Sequence, residues 1–110
     1  MIQDTINKLE ARLEKSTTMP AETRAELLKL LTTLKSEVDQ LSQTDAEHAE
    51  SIAGFTALYA HEATRGQRNP ALLEHSQQGL ASAVSELEQS HPRLVRLVNS
   101  ICTTLANLGI

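Results

Sequence analysis

The sequence predicts an all-α fold: a short N-terminal helix packed on a long antiparallel helical hairpin. Three observations carry this. Leu, Ala and Glu are abundant in the composition, which favours helix. Glycine and proline are scarce, at four and three residues. Apolar residues recur at alternating spacings of four and three along most of the chain, the mark of a helical stripe. The 110 residues suit one domain, 1–110, with a modest core. Phe55 and Tyr59 are the only aromatics, so that core must be built from Leu, Val, Ile and Ala.

The first stripe is Ile2, Ile6, Leu9 and Leu13. It predicts a helix ending near Ser16, with a reversal near Thr18 and Pro20 in the first turn of the next helix. A second pattern runs from Ala21: Leu27, Leu31, Leu34, Val38, Leu41, Asp45, His48, Ile52, Phe55, Tyr59 and Glu62. Its unbroken heptad phase predicts one long helix, weakened but not ended by Gly54. "TRGQRNP" then supplies stop and start signals: Gly66 for a C-terminal end, Asn69 for an N-cap, Pro70 for a first residue. A third pattern runs from Leu73 through Leu80, Val84, Leu87, His91, Leu94, Val98, Ile101 and Leu105 to Leu108. Its phase continues through Ser90-His91-Pro92. Phase continuity favours a single helix kinked at Pro92, with the carbonyl of Glu88 pushed aside. The competing reading starts a new helix, with Ser90 as its cap and His91 and Pro92 in its first turn.

Two long helices joined by a short turn fold back on each other. Centring the turn near residues 67–68 sets Phe55 against Leu80, Leu41 against Leu94, and Leu34 against Ile101. The same register sets Asp45 against His91 and His48 against Leu87, so one polar layer interrupts an apolar seam. The expected architecture is a three-helix base (1–42 and 91–110) with a two-helix arm (43–90) projecting from it. The small residues Ala46, Ala49, Ala53, Ala57 and Ala60 form a second stripe on that arm. They predict pairing with the arm of another copy, a homodimer joined by a four-helix bundle.

Charge narrows the function classes. The chain carries a net charge of −4, which speaks against nucleic acid as a partner. Residues 36–92 hold nine acids against Arg65 and Arg68, so the acidity is concentrated there. No apolar run reaches the 18–20 residues a membrane span needs, and the charged N-terminus does not read as a signal peptide. A lone cysteine, Cys102, cannot form an internal disulfide and suits the cytoplasm. No cofactor is implied.

The candidate chemistry is sparse. Asp45-Ala-Glu-His48 approaches a metal-ligand spacing once, and His91 could add a third ligand; a structural polar layer or a pH-sensitive one is the simpler reading. Arg65 and Arg68 could contact an anion, or offset acidic helices and a helix C-terminus. Nothing supports nucleophilic catalysis, since Cys102 lies among Val98, Ile101 and Leu105.

The C-terminal "SHPRLVRLVNSICTTLANLGI" and the N-terminal "INKLEARLEK…PAETRAELLKLLTTLKSEV" resemble a bacterial family of small helical proteins catalogued as domain of unknown function 4404. The resemblance covers roughly residues 1–41 and 84–110, with a longer middle at about 42–80. It implies a recurring Ser-His-Pro and an Asn-x-Gly-Ile tail, and no activity. The expected function is non-enzymatic: interaction or assembly, with a metal- or pH-responsive module at Asp45, His48 and His91 as the alternative.

Overall fold

In a computed structural model of the chain, residues 2–17 and 19–108 are described. The expected reversal at Thr18 and the Gly109-Ile110 tail lie outside them. Five helices follow one another: α1 (Ile2–Glu14), α2 (Ala21–Ser42), α3 (Ala46–Thr64), α4 (Pro70–Ser85) and α5 (Pro92–Asn107). No strand occurs among the described residues, and no helix there is long and apolar enough to cross a membrane.

The first stripe forms as its spacing dictates: Ile6, Leu9 and Leu13 are buried on α1. The connection to α2 is held by Arg24, whose guanidinium donates to the Ser16 carbonyl at 2.6 Å. Met19, in the same connection, is buried. Pro20 stands one position before α2, and its carbonyl accepts from the Arg24 N–H at 3.0 Å. The second stripe buries Leu27, Leu31, Leu34, Val38 and Leu41.

The long second helix does not form as one piece. It ends at Ser42, and a new helix starts after Asp45. Asp45 leaves the helical region at φ −150°, ψ 78°, and its Oδ1 accepts from the His48 N–H at 3.2 Å. A carboxylate on an orphan N–H of the first turn is a strong start signal, worth about 1 kcal/mol. The third pattern also divides. α4 ends at Ser85 and α5 begins at Pro92, so Ser90-His91-Pro92 is a helix break and not a kink. Pro92 occupies the first helical position, where its missing N–H costs nothing. His91, at φ −137°, ψ 61°, is the cap residue, and neither it nor Ser90 makes a side-chain cap bond.

The contacts between helices give their directions. Glu10 meets both Thr32 and Lys35, while Ile2 and Gln3 lie beside Asp39 and Ser42, so α1 and α2 are antiparallel. Ile2 also lies beside Glu50 and Ala53, whereas Arg12 donates to His61, so α1 runs parallel to α3. α3 has therefore turned back along α2. His48 opposite Glu86, and Phe55 opposite Gly79, make α4 antiparallel to α3. Glu37 pairs with Arg93 at 3.6 Å, while Thr23 and Glu26 lie beside Thr103 and Asn107, so α5 is antiparallel to α2. The chain is an up-and-down bundle of five helices.

This corrects the projecting arm. Residues 43–90 fold back on the base, and the expected arm tip sits beside the end of α5: Arg68 donates to the Leu108 carbonyl at 2.8 Å. α3 packs against all four other helices and buries two faces. The alanine stripe is consumed there. Ala49, Ala53 and Ala60 are buried within the chain, Ala57 is half-buried and Ala46 is exposed. They cannot offer a second copy the continuous surface expected of them, because α1 and α2 cover it.

The hairpin register is close to the expected one, displaced by one position. The Phe55 ring lies over Gly79, one position before the expected Leu80. A Cβ added at Gly79 would stand 2.3 Å from the Phe55 ring, so only glycine lets the ring lie against the α4 backbone. Gly54 has nothing within 4 Å of the same point. Substitution should separate the two. Gly54→Ala gains helix propensity with no clash and should stabilise by about 0.5–1 kcal/mol. Gly79→Ala displaces the ring and should destabilise by about 1 kcal/mol net. Thermal melts of both, with Phe55→Leu combined with Gly79→Ala as the rescue, check this; a stabilised Gly79→Ala would refute the close approach.

One buried hydroxyl gives a second expectation. Thr56 is buried in α3 and its Oγ1 has no hydrogen-bond partner among the described residues. An unpaired buried hydroxyl costs about 1–3 kcal/mol. Thr56→Val should therefore raise the unfolding midpoint in urea, and a lower midpoint at unchanged slope would show the hydroxyl to be paired.

Candidate functional site

The two helix joints meet at one end of the bundle, and a single side chain links them. His48 lies in the first turn of α3, placed there by the Asp45 cap. Its Nδ1 is 2.7 Å from Asp45 Oδ2, and its Nε2 is 3.0 Å from Glu86 Oε2. Glu86 is the residue at which α4 ends. The imidazole thus bridges the α2–α3 joint to the α4–α5 joint. Acceptors at both ring nitrogens are satisfied together only by the doubly protonated ring.

The electrostatics agree with that geometry. The hydrogen bond to Glu86, and then the one to Asp45, hold the His48 pKa above its ordinary value. The backbone N–H of His48 holds the Asp45 carboxyl below the usual carboxylate range, with smaller help from the imidazoles of His48 and His91. All three groups reach solvent: the Glu86 side chain is 74% exposed, that of Asp45 38% and that of His48 32%. Solvent screens such pairs, so this one aligns the joints more than it stabilises the fold.

The expected polar layer is brought together only in part. Asp45 and His48 are joined, but the facing pair Asp45–His91 is not a hydrogen bond. His91 Nδ1 instead lies 2.9 Å from Ser90 Oγ, and His91 reaches Asp45 only through its charge. Glu86 takes the place expected of His91. Among the described residues no group of three or more His, Cys, Asp or Glu side chains is arranged to hold a metal. A cation at His48 would have to displace a carboxylate from one ring nitrogen.

The other candidates are engaged within the chain. Arg65 donates to Glu62 at 2.8 Å, and the Glu62 side chain is only 5% exposed. Arg68 donates to the carbonyls of Ala63 and Leu108, tying the ends of α3 and α5 together. That is the helix-terminal role weighed for these arginines in the sequence. Cys102 is half-buried, and burial pushes its thiol up to about 11, so it is protonated at neutral pH. Tyr59 is buried, and burial, followed by neighbouring Cys102, raises its hydroxyl.

Sequence reasoning missed the outward side of α3. Ser51, Gly54, Phe55 and Leu58 line a shallow, largely apolar depression of about 200 Å³. Leu58 is 44% exposed. These positions recur at spacings of three and four, so they share one helical face. The signal was present, but Phe55 was assigned wholly to the seam. Exposed Glu47 and Glu50 lie near the same face.

Raising the pH should loosen the joints. The folded His48 is more basic than the unfolded one, so its stabilisation is present below the ordinary histidine value and fades as pH rises through the raised one. Asp45 acts oppositely, contributing above the ordinary carboxylate value and losing its contribution as pH falls through the lowered one. NMR titration of the His48 ring should give a midpoint above the ordinary histidine value, and Glu86→Gln should bring it down. A His48 midpoint unmoved by Glu86→Gln would show the bridge to be unformed in solution.

The chain matches the model of the family described as Domain of unknown function (DUF4404) over residues 28–110. The match takes in residues 42–80, which the resemblance read from the two ends had left aside, and stops short of α1. No curated protein and no solved structure matches the chain.

Proposed function

We propose, for a chain that belongs to the family described as Domain of unknown function (DUF4404), a non-enzymatic role: a helical protein that binds another protein through the outward face of α3. One observation carries the reading. The helix with the most extensive burial keeps an apolar spot in solvent, at Ser51, Gly54, Phe55 and Leu58. Gly54 leaves open space where a side chain would stand, so a partner backbone can come close. Glu47 and Glu50 beside it suit an amphipathic helix whose apolar stripe is flanked by Lys or Arg. Supporting it, the arginines and histidines that could do chemistry at the joints and the tip are committed to helix ends. We place the protein in the cytoplasm, where a lone half-buried thiol is untroubled.

A second reading is favoured by the bridge at His48: a module whose joint order follows pH. Leu58→Asp tests the first. It should leave the melting temperature within a few degrees of the parent and reduce capture of a partner at least tenfold in parallel pull-downs. A partner captured equally by both forms removes the α3 face from the proposal. Stoichiometric metal in the purified protein, lost on His48→Ala, would overturn the non-metal role.

A further inference from the structure

We propose that the α3–α4 hairpin is an exchangeable unit: it swings out on the joints at 43–45 and 86–91 and seats against α1, α2 and α5 of a second copy, giving a domain-swapped dimer. The inference goes beyond the partner-binding reading above and stands or falls separately from it.

Four observations lead to it. First, both joints lie at the same end of the bundle, and His48 with Glu86 braces α3 to the end of α4 across them. The hairpin can therefore move as one piece. Second, each joint is nearly helical. Gln43 and Glu86 keep right-handed helical angles, at φ −69°, ψ −28° and φ −72°, ψ −12°. Asp45 N donates to the Leu41 carbonyl at 2.8 Å, and His91 N to the Leu87 carbonyl at 2.7 Å, both with helical spacing. Asp45 and His91, by contrast, leave the helical region, at φ −150°, ψ 78° and φ −137°, ψ 61°. No residue among those described has a positive φ. Straightening thus asks mainly for rotation at Asp45 and His91, although Pro92 still removes one helical bond in α5.

Third, the apolar phase crosses both joints without a slip: Leu41, Asp45, His48, Ile52 on one side, and Val84, Leu87, His91, Leu94 on the other. Straightened chains would keep α2 on α5 and α3 on α4, the two pairings the folded bundle already has. The joined α2–α3 helix would span residues 21–64, roughly 66 Å at 1.5 Å per residue. Fourth, the surfaces given up are those of α3 and α4 against α1, α2 and α5, and a second copy offers identical ones. Ala49, Ala53, Ala60 and Ala63 are buried there in either form. Exchange of an identical element makes no new kind of contact, which is why it is an accessible route to dimers.

The test uses the full chain with Cys102→Ser. Arg12 and His61 touch across the α1–α3 contact, so Arg12→Cys and His61→Cys place thiols at an interface the exchange would transfer. Light scattering after size exclusion should find 12.0 kDa monomer together with a dimer whose share grows with concentration. In the isolated dimer, a short bis-maleimide should join two chains; in the monomer it should join thiols within one chain. Asp45→Leu with His91→Leu, which replaces both break residues by seam leucines, should raise the dimer share at least tenfold. Ala46→Pro sits at the first position of α3, tolerated beside a break but not inside a continuous helix, and should suppress the dimer.

A wild-type chain that stays monomeric to millimolar concentration overturns the proposal. So does a dimer that crosslinks only within chains, or one that Ala46→Pro leaves unchanged; that last arm decides the matter if the double leucine variant fails to fold. Leu58→Asp serves as the separator: it should leave the exchange intact even where it abolishes partner capture.

Discussion

The fold turns on Asp45. Its carboxylate accepts the His48 N–H and starts a helix where the apolar phase alone would have carried α2 onward. Because the chain reverses there, α3 lies along α2 and not beyond it. α1 then finds two neighbours, α2 and α3, and the alanine face of α3 finds cover. Without that reversal, α3 would lose its contacts with α1 and α2 of its own chain. A single cap is worth only about 1 kcal/mol. Its influence is larger because it decides between two packings that use the same leucines.

Small residues make the central position of α3 possible. A helix touched by four others must present short side chains on at least one face, and Ala49, Ala53, Ala60 and Ala63 supply them. The bulk is provided by its neighbours: Ile6, Leu9 and Leu13 from α1, Leu27 to Leu41 from α2, Leu94 to Leu105 from α5. The division of labour is an ordinary close-packing solution, with large residues meeting small ones across each contact.

Much of this was legible in the sequence, and the failures share a cause. Every helical stripe is real: Ile6, Leu34, Val38, Val98 and Ile101 are all buried as their spacing requires. Asn69 caps α4 through its side chain at 3.0 and 3.2 Å, and Pro70 opens it, as "RNP" suggested. Neither break changes the apolar phase, so the period hides the first and leaves the second only as the competing reading. Their mark was polarity, not period: Ser42-Gln43-Thr44-Asp45 and Gln89-Ser90-His91-Pro92 are the places where cap-type residues cluster on an otherwise continuous seam. Taking Asp45 and His91 as a facing layer identifies the right level of the bundle but gives each the wrong task, since each stands at the start of a helix. Glu86 went unseen because the assumed register, one position off, put Leu87 opposite His48.

The sparse aromatic content described at the outset has an optical consequence. With no tryptophan and one tyrosine, intrinsic fluorescence excited at wavelengths beyond phenylalanine absorption comes from a single position. Tyr59 is buried on α3, and Cys102 on α5 is near enough to add to the rise of its hydroxyl pKa. Emission from this molecule is therefore a site-specific signal: it reports whether α3 and α5 are together, with no label attached.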